Sequence, residues 1–394
     1  MNNKKSFALG MAIGAVVVLI ISLWVGNYQR QRSWGGRPDP NSKLMEIYDL
    51  LNEISIFPLD KDQMLENMYR GFLDGVGDPY TQYFDRNAAA TFMERQTGVY
   101  VGIGILVLVD QETRAVTVAN TFRDTPAHRA GILPGDVIYR VEDIDAIGLS
   151  LEEVAGMIRG PVNTVVNITI FRPYEDEYIE LTLIRERVTV PSVFHEMMDG
   201  LTGYIRIESF DSATTTQFSA AMADLTGQGM TGLILDLRNN PGGSLDAVAF
   251  VADYFIPEGI SAFIVDANDD RRNLYTDENY FGQPLVVLVN NRSASASELL
   301  SGAIQDTGVG IVIGEQTFGK GIVQHFRRLS DGSAIKATVA QYFTPSGTVI
   351  HGEGVTPDVE VEMDEATSRM IGNLELDDDI QLRTAFEMIR EMSE

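Results

Sequence analysis

The sequence of 394 residues contains no cysteine. This absence excludes disulfide bonds, thiol catalysis and cysteine metal sites, but it leaves the redox compartment open because an exported protein can simply avoid thiols. Basic residues are in the minority, with 30 Lys and Arg against 56 Asp and Glu and a formal net charge of −26. So acidic a chain repels phosphate backbones, which argues against nucleic acid as a partner.

Histidine is also scarce, with four residues in the whole chain. No cluster of His and Glu occurs at the spacing of a metal site, so we expect neither a metal nor a cofactor.

Long apolar runs are rare, and one stands out near the N-terminus. Residues Phe7–Val25 carry no charge, and nineteen residues span the ~30 Å hydrocarbon core as a helix. A cleaved signal peptide is the alternative, although its apolar region is usually about 7–15 residues long. We expect an uncleaved anchor in residues 1–30 and a Gly/Pro-containing linker in residues 31–40. Lys4 and Lys5 favour a cytoplasmic N-terminus, with the remaining chain outside the bacterial cytoplasmic membrane.

The most informative stretch runs from Leu288 to Phe326. An apolar segment ending at Val289 predicts a buried strand, and a patch of small residues, Ser293–Ser297, leads into a helical pattern. Such a turn can project a serine hydroxyl from the top of a sheet, next to the free amides at the start of a helix.

A lysine bracketed by glycines follows in Thr317–Gln324, at the start of another apolar segment. If this segment is extended, Lys320 and Gln324 share one face because side chains repeat every second residue in a strand. A neutral amine can take the proton of a serine hydroxyl when burial lowers the lysine pKa. A glutamine orients that amine without adding a charge. The pattern predicts a Ser/Lys hydrolase.

The motifs SASASE and TFGKGxVQ resemble those of the carboxyl-terminal processing proteases, also called tail-specific proteases. The resemblance implies that Ser295 is the nucleophile, Lys320 the base and Gln324 its support. The segment DLRNNPGG, beginning at Asp236, matches a further family motif. By the same resemblance, the amides of Gly243 and Ala296 form the oxyanion hole. Asp236 and Arg238 are expected to form a structural ion pair.

Residues 98–186 look like a PDZ domain. One loop resembles the PDZ loop that binds a peptide carboxylate, and it consists of Val101, Gly102, Ile103, Gly104 and Ile105. The segment Thr125–Asp143 resembles the helix, turn and strand that follow this loop in PDZ domains. Glycines allow successive backbone amides to point at one carboxylate, while the next strand offers an open edge to a peptide.

The resemblance implies an α/β (α+β) fold with a ClpP/crotonase-like Ser/Lys protease core and an inserted PDZ domain. We expect an N-terminal helical segment at residues 41–97, the PDZ domain at residues 98–186 and the serine protease domain at residues 187–394. The helical segment, which includes the family's DPY turn at residues 78–80, is expected to serve packing or dimer formation.

Three alternatives require other residues. A Ser/His/Asp triad would need His195, His325 or His351, since His128 falls in the PDZ-like segment. His325 neighbours Gln324 and so points to the opposite face of a strand, and the other two lie in no catalytic motif of the family. A catalytically silent PDZ scaffold would be expected to lack Ser295 or Lys320. A crotonase or Clp-protease-like chain would bind acyl-CoA or use a histidine base.

The expected function is that of a membrane-tethered serine endopeptidase that recognises C-terminal tails of proteins. Its partners would be protein or peptide substrates with apolar tails and the cytoplasmic membrane, with a homodimer or higher oligomer through the terminal helices.

Overall fold

The structure, a computed structural model, describes residues 39–110, 113–278, 280–372 and 374–393. The chain divides into two units, residues 1–75 and 76–394. The predicted anchor Phe7–Val25 lies outside the described residues. Within the described ranges, no helix has the length and apolar character needed to cross a membrane.

The first unit contains two amphipathic helices, α1 (Pro40–Ile54) and α2 (Lys61–Asp74). Each begins at an aspartate whose carboxylate accepts a backbone N–H: Asp39 caps α1 and Asp60 caps α2. Such caps satisfy amides that the first helical turn leaves without partners.

A six-stranded sheet forms the centre of the second unit. Its order is β10 (Val193–Met197), β11 (Thr202–Ile207), β12 (Gly232–Asp236), β15 (Leu285–Val289), β16 (Ile311–Gly314) and β19 (Val359–Glu360). The strands pair in parallel from β11 onward, and β10 is antiparallel. The central strands β12 and β15 are buried along their whole length, as expected for parallel strands with both faces covered.

Helices cover both faces of this sheet. One face carries α6 (Thr214–Gly227), α7 (Leu245–Asp253) and α8 (Ala296–Thr307), and their apolar side chains form the largest core. The other face packs against α10 (Ile380–Ser393). A short helix, α9 (Glu365–Ser368), precedes α10. The predicted α/β class is confirmed.

A second sheet stands beside the first. It contains β1 (Gln82–Phe84), β18 (Ala334–Phe343), β13 (Gly259–Asp266) and β14 (Arg271–Thr276), with β17 (Ile322–Arg328) also paired to β18. The helix α3 (Arg86–Thr97) follows β1 directly. Residues that follow α2 therefore join the sheet that contains Gln324.

The PDZ-like segment has its own core. Its sheet has the order β3 (Ile105–Val109), β4 (Val116–Thr121), β5 (Val137–Val141), β7 (Val165–Arg172) and β8 (Glu177–Ile184), with β6 (Ile144–Asp145) on β5. Two helices complete it, α4 (Pro126–Arg129) and α5 (Leu151–Ile158). A ribbon of β2 (Val99–Gly102) and β9 (Glu186–Thr189) brings its two ends together.

Candidate active site

The predicted nucleophile, Ser295, lies at the turn between β15 and α8. Its backbone has φ 58° and ψ −114°, a conformation that a residue with a side chain adopts at a cost of about 1–3 kcal/mol. The Ser295 amide donates to the Glu298 carboxylate over 2.7 Å, one turn into the helix. This contact stabilises the sharp change of direction by which the buried strand presents the serine at its carboxyl end.

The three serines of the small-residue patch have different surroundings. Ser293 and Ser297 are fully buried, and their hydroxyls donate to the backbone carbonyls of Leu237 and Asn240 over 2.8 and 3.0 Å. These bonds fasten the turn to the loop after β12. Ser295 is half-buried, lines a cavity and lies beside the Tyr342 hydroxyl. Ser295 is therefore the serine of the three whose hydroxyl faces the open site.

The predicted oxyanion residues meet beside Ser295. Gly243 has φ 146°, and a Cβ on it would lie 2.0 Å from the Phe210 carbonyl oxygen, so only glycine fits. A Cβ on Gly242 would lie 2.8 Å from both the Ala296 amide nitrogen and the Ser295 Cβ. Within the described part of the chain, the amides of Gly243 and Ala296 make no hydrogen bond. Two N–H groups without partners thus belong to residues that line the same cavity as the serine.

The same loop rests on a buried ionic network. The Arg238 guanidinium donates to Asp236 over 2.6 Å and to Asp379 over 2.8 Å, and all three side chains are shielded from water. The Tyr204 hydroxyl also donates to Asp236. This is the expected structural ion pair, extended by Asp379 from the loop before α10, which no local sequence pattern indicated.

Glu298 joins the serine turn to the glycine–lysine loop. Besides the Ser295 amide, its buried carboxylate accepts hydrogen bonds from the Thr317 hydroxyl and from the amides of Gly319 and Lys320, over 2.6 to 2.8 Å. Four donors on one carboxylate fix the two predicted catalytic segments relative to each other.

The predicted base, Lys320, is half-buried in the same cavity as Ser295. Burial lowers the pKa of its ammonium below the usual 10.5, and the carboxylates of Glu298 and Asp78 oppose this shift. The Lys320 ammonium lies 5.1 Å from the centre of the Tyr80 ring. A lowered pKa is what a lysine base requires, because only the neutral amine accepts a proton.

Gln324 contacts the same tyrosine: its side-chain amide donates to the Tyr80 carbonyl over 2.7 Å. The edge of the His351 ring also approaches Tyr80, with 6.2 Å between ring centres. Sequence reasoning assigned residues 78–80 to packing and missed these contacts. The only signal was the family's DPY turn itself, which gives no indication of a partner some 240 residues away.

A second lysine, Lys336, lies in the cavity on β18. Its ammonium lies 5.4 and 5.3 Å from the ring centres of Phe84 and Phe92. Burial lowers its pKa, and the charge of Lys320 lowers it further. The Tyr342 hydroxyl donates to the Lys320 carbonyl, and burial raises the Tyr342 pKa well above its ordinary value. Tyr342 is therefore a neutral phenol.

The predicted carboxylate loop joins the ribbon to the PDZ-like sheet. Val101 and Gly102 belong to β2, Ile103 is buried in the core, and Gly104 precedes Ile105 at the start of the edge strand β3. An edge strand leaves a row of backbone groups open to another chain.

Tyr100 lies against this loop. A Cβ on Gly102 would meet the Tyr100 ring at 2.7 Å, and the Tyr100 hydroxyl lies beside the amides of Gly104 and Ile105. Burial raises the pKa of Tyr100 to about 12. The Arg159 guanidinium at the end of α5 lies 5.8 Å from the ring centre.

One cavity of about 1390 Å³ joins the predicted catalytic residues to part of the PDZ-like segment. Its walls include Ser295, Ala296, Gly243, Lys320 and Gln324, and they also include Leu151, Ala155 and Arg159 from the PDZ-like helix α5 together with Tyr100. The serine and the flank of the PDZ-like segment thus share one continuous space.

Two of the three histidines considered for a triad lie at the surface: His195 is 3.0 Å from Asp224, and His325 is exposed. The third, His351, packs against Tyr80. In the described ranges, no group of His, Asp and Glu side chains is arranged to hold a metal ion.

Comparisons with known proteins identify both parts of the chain. The model of peptidase family S41 matches residues 201–361, and that of a PDZ domain matches residues 123–172. A Staphylococcus epidermidis protein named "Probable CtpA-like serine protease" is 33% identical over 90% of this chain and 72% of its own length. A "Carboxy-terminal-processing protease" of Bartonella bacilliformis is 36% identical over 77% of this chain and 70% of its own.

Among solved structures, an S41 protease from Bacteroides fragilis matches with a TM-score of 0.52, over 86% of this chain and 93% of that one. Its identity is 14%, so this similarity concerns the fold alone. The sequence matches to the two curated relatives identify the family. The chain belongs to peptidase family S41 and is a PDZ-containing serine protease of the carboxy-terminal-processing type.

Proposed function

We propose that this protease recognises the C-terminal tail of a protein substrate through its PDZ domain, residues 98–186, and cleaves it with Ser295 and Lys320. The observation that carries the proposal is the shared cavity, which is lined both by these two residues and by the PDZ helix α5. A tail that pairs with the edge strand β3 places its carboxylate at the loop Val101–Ile105 and extends toward the serine.

The reaction follows acyl-transfer chemistry. Neutral Lys320 takes the proton from the Ser295 hydroxyl as the oxygen attacks the substrate carbonyl. The resulting oxyanion accepts hydrogen bonds from the amides of Gly243 and Ala296. Lys320 then gives its proton to the departing amine, and a water molecule deprotonated by Lys320 hydrolyses the acyl-enzyme. Gln324 orients the lysine without adding charge.

The proposal includes a membrane tether at the N-terminus. Its support is the uncharged run Phe7–Val25 preceded by two lysines, which favours an anchor with the protease outside the cytoplasmic membrane. Fractionation of cells into membrane and soluble parts, compared with a chain in which Val17→Glu and Ile20→Lys interrupt the run, tests it. Equal distribution of both chains would contradict the tether.

The catalytic assignment is tested with the full chain in detergent and an unfolded substrate bearing an apolar C-terminal tail. We expect cleavage by the parent and loss of cleavage in Ser295→Ala and Lys320→Ala. The exposed Ser346→Ala and Lys43→Ala are matched controls that retain the parent rate. Retention of activity by either active-site variant would overturn the assignment.

Tail recognition has a separate test. When the terminal carboxylate of the same substrate is converted to an amide, the tail loses the charge that the loop amides would bind. We therefore expect its kcat/KM to fall at least about tenfold, which corresponds to the usual strength of charge-assisted hydrogen bonds. Equal rates on both substrates would contradict PDZ capture of the tail.

Deletion of residues 98–186 tests whether the PDZ domain also gates the active site. Unchanged rates on tailed and untailed substrates would exclude gating.

A further inference from the structure

We propose that the turn Asp78–Tyr80 is a positioning element of the catalytic apparatus, which holds Lys320 and Gln324 in place through Tyr80 and is itself fixed by Asp78. The inference rests on the proposed Ser/Lys mechanism and adds residues from a part of the chain that sequence reasoning assigned to packing.

Tyr80 contacts both members of the predicted lysine–glutamine pair. Its ring lies under the Lys320 ammonium at 5.1 Å, and its carbonyl accepts the Gln324 amide at 2.7 Å. One residue therefore limits the rotamers of two side chains on the same wall of the cavity.

Asp78 fixes the shape of the turn. Its carboxylate accepts the Tyr80 amide at 3.0 Å and the Thr81 hydroxyl at 2.6 Å. The Thr81 hydroxyl in turn accepts the backbone amide of Thr338 in β18. The next residues form β1, in which Gln82 pairs with Lys336 of β18.

The turn and the two residues after it are thus attached to the sheet at three successive positions, Tyr80, Thr81 and Gln82. The strand β18 also pairs with β17, which contains Gln324. Movement of the turn away from the sheet would break the contacts of both Lys320 and Gln324 with Tyr80.

Asp78 also contributes a charge to the site. The groups that face Lys320 are Glu298 from α8, Asp78 from the turn, and Lys336 and Tyr342 from β18, while His351 faces Asp78. Burial lowers the Lys320 pKa, and the two carboxylates raise it. Glu298 is engaged by four hydrogen bonds that hold the site together, so Asp78 is the carboxylate whose charge can be removed with less disturbance.

The test compares Asp78→Asn with Asp331→Asn, which removes the same charge from the exposed loop between β17 and β18. The readout is the pH dependence of Ser295 modification by a fluorophosphonate, together with kcat/KM. Loss of the Asp78 charge favours neutral Lys320. The acid limb of the pH–rate profile, on which the rate falls because Lys320 becomes protonated, therefore moves to lower pH by roughly half a unit. At a given pH on that limb, the reaction becomes about threefold faster. Asp331→Asn keeps the parent profile. A purely structural role of Asp78 would lower the rate without moving the limb.

Tyr80 is tested by a conservative and a disruptive change. Tyr80→Phe keeps the ring and the carbonyl and is expected to stay within about twofold of the parent kcat, whereas Tyr80→Leu loses the ring and is expected to fall at least about tenfold, the scale of 1.4 kcal/mol. Thermal unfolding of each variant is recorded, and if Tyr80→Leu does not fold, the Asp78→Asn profile decides.

The inference is overturned if Asp78→Asn leaves the acid limb in place or if Tyr80→Leu matches the parent. Failure of the proposed function has a different signature, because Ser295→Ala and Lys320→Ala would then retain activity.

Discussion

At the scale of single residues, the site depends on side chains that do no chemistry. Ser295 sits in a strained backbone conformation, and the Glu298 carboxylate is what binds its amide. The same carboxylate holds the Lys320 amide, so one buried acid fixes the spacing between the backbones of the proposed nucleophile and the proposed base.

Replacement of Glu298 by Gln is therefore expected to damage both stability and rate. A glutamine keeps one acceptor oxygen and turns an NH₂ group toward donors that need an acceptor. We expect this change to lower the free energy of unfolding by about 2–4 kcal/mol. We expect a lower Tm and a fall in kcat of tenfold or more. Glu315→Gln is the matched control, because the Glu315 carboxylate accepts a single hydrogen bond, from the backbone amide of Met363. Equal Tm values for the two variants would contradict the role assigned to Glu298.

Lys320, the proposed base, is expected to reduce the stability of the fold. Its folded-state pKa is lowered, so the unfolded chain binds the proton more tightly and the ammonium disfavours folding at any pH below the folded pKa. Lys320→Met should be inactive and should have a higher Tm at neutral pH. This advantage shrinks as the pH rises through the folded pKa toward 10.5, because the parent then loses its buried charge. A Tm difference that stays constant over this range would refute the interpretation.

At the scale of elements, local patterns predicted the segments around the serine. The apolar run that ends at Val289 gave β15, and the small-residue patch gave the turn before α8. The Ser150 capping box marks the start of α5 in the PDZ-like segment. These features follow from side-chain periodicity and helix capping, which act over a few residues.

Contacts between distant segments were not predictable in the same way. Tyr80 meets Gln324 because β1 pairs with β18, and three residues of strand carry too weak a pattern to reveal that pairing. Asp379 reaches Arg238 from the far end of the chain for a similar reason: a buried ion pair has no local spacing. The motifs thus located the serine and the lysine but not the residues that hold them.

The loop before β3 gives a prediction at this scale. The Tyr100 hydroxyl lies beside the amides of Gly104 and Ile105, where a substrate carboxylate is expected to bind. It is a buried oxygen that makes no hydrogen bond within the described residues. Tyr100→Phe removes the competing hydroxyl and should tighten binding of a tail peptide to the Ser295→Ala chain. The exposed Tyr174→Phe is the control, and weaker binding by Tyr100→Phe would show that the hydroxyl helps to hold the carboxylate.

At the scale of the whole molecule, the acidic net charge is expected to affect which substrates bind. The net charge of −26 repels acidic chains over distances that salt shortens to about 10 Å at 0.1 M. Two substrates with the same tail, one rich in Lys and one rich in Glu upstream of it, should respond to salt in opposite directions. We expect kcat/KM to fall with added salt for the basic substrate and to rise for the acidic one. Parallel responses would show that the net charge has no part in capture.

Ser295 and α5 line one cavity, so under the proposed tail capture the enzyme, and not the substrate, sets the separation between a bound tail end and the reacting carbonyl. An extended chain advances about 3.3 Å per residue, so a fixed separation corresponds to a fixed count of residues. If the proposed tail capture holds, the protease measures the cleavage position from the tail end. Proteins of very different size would release first fragments of one length, and a residue added at the very end would move the cut by one position.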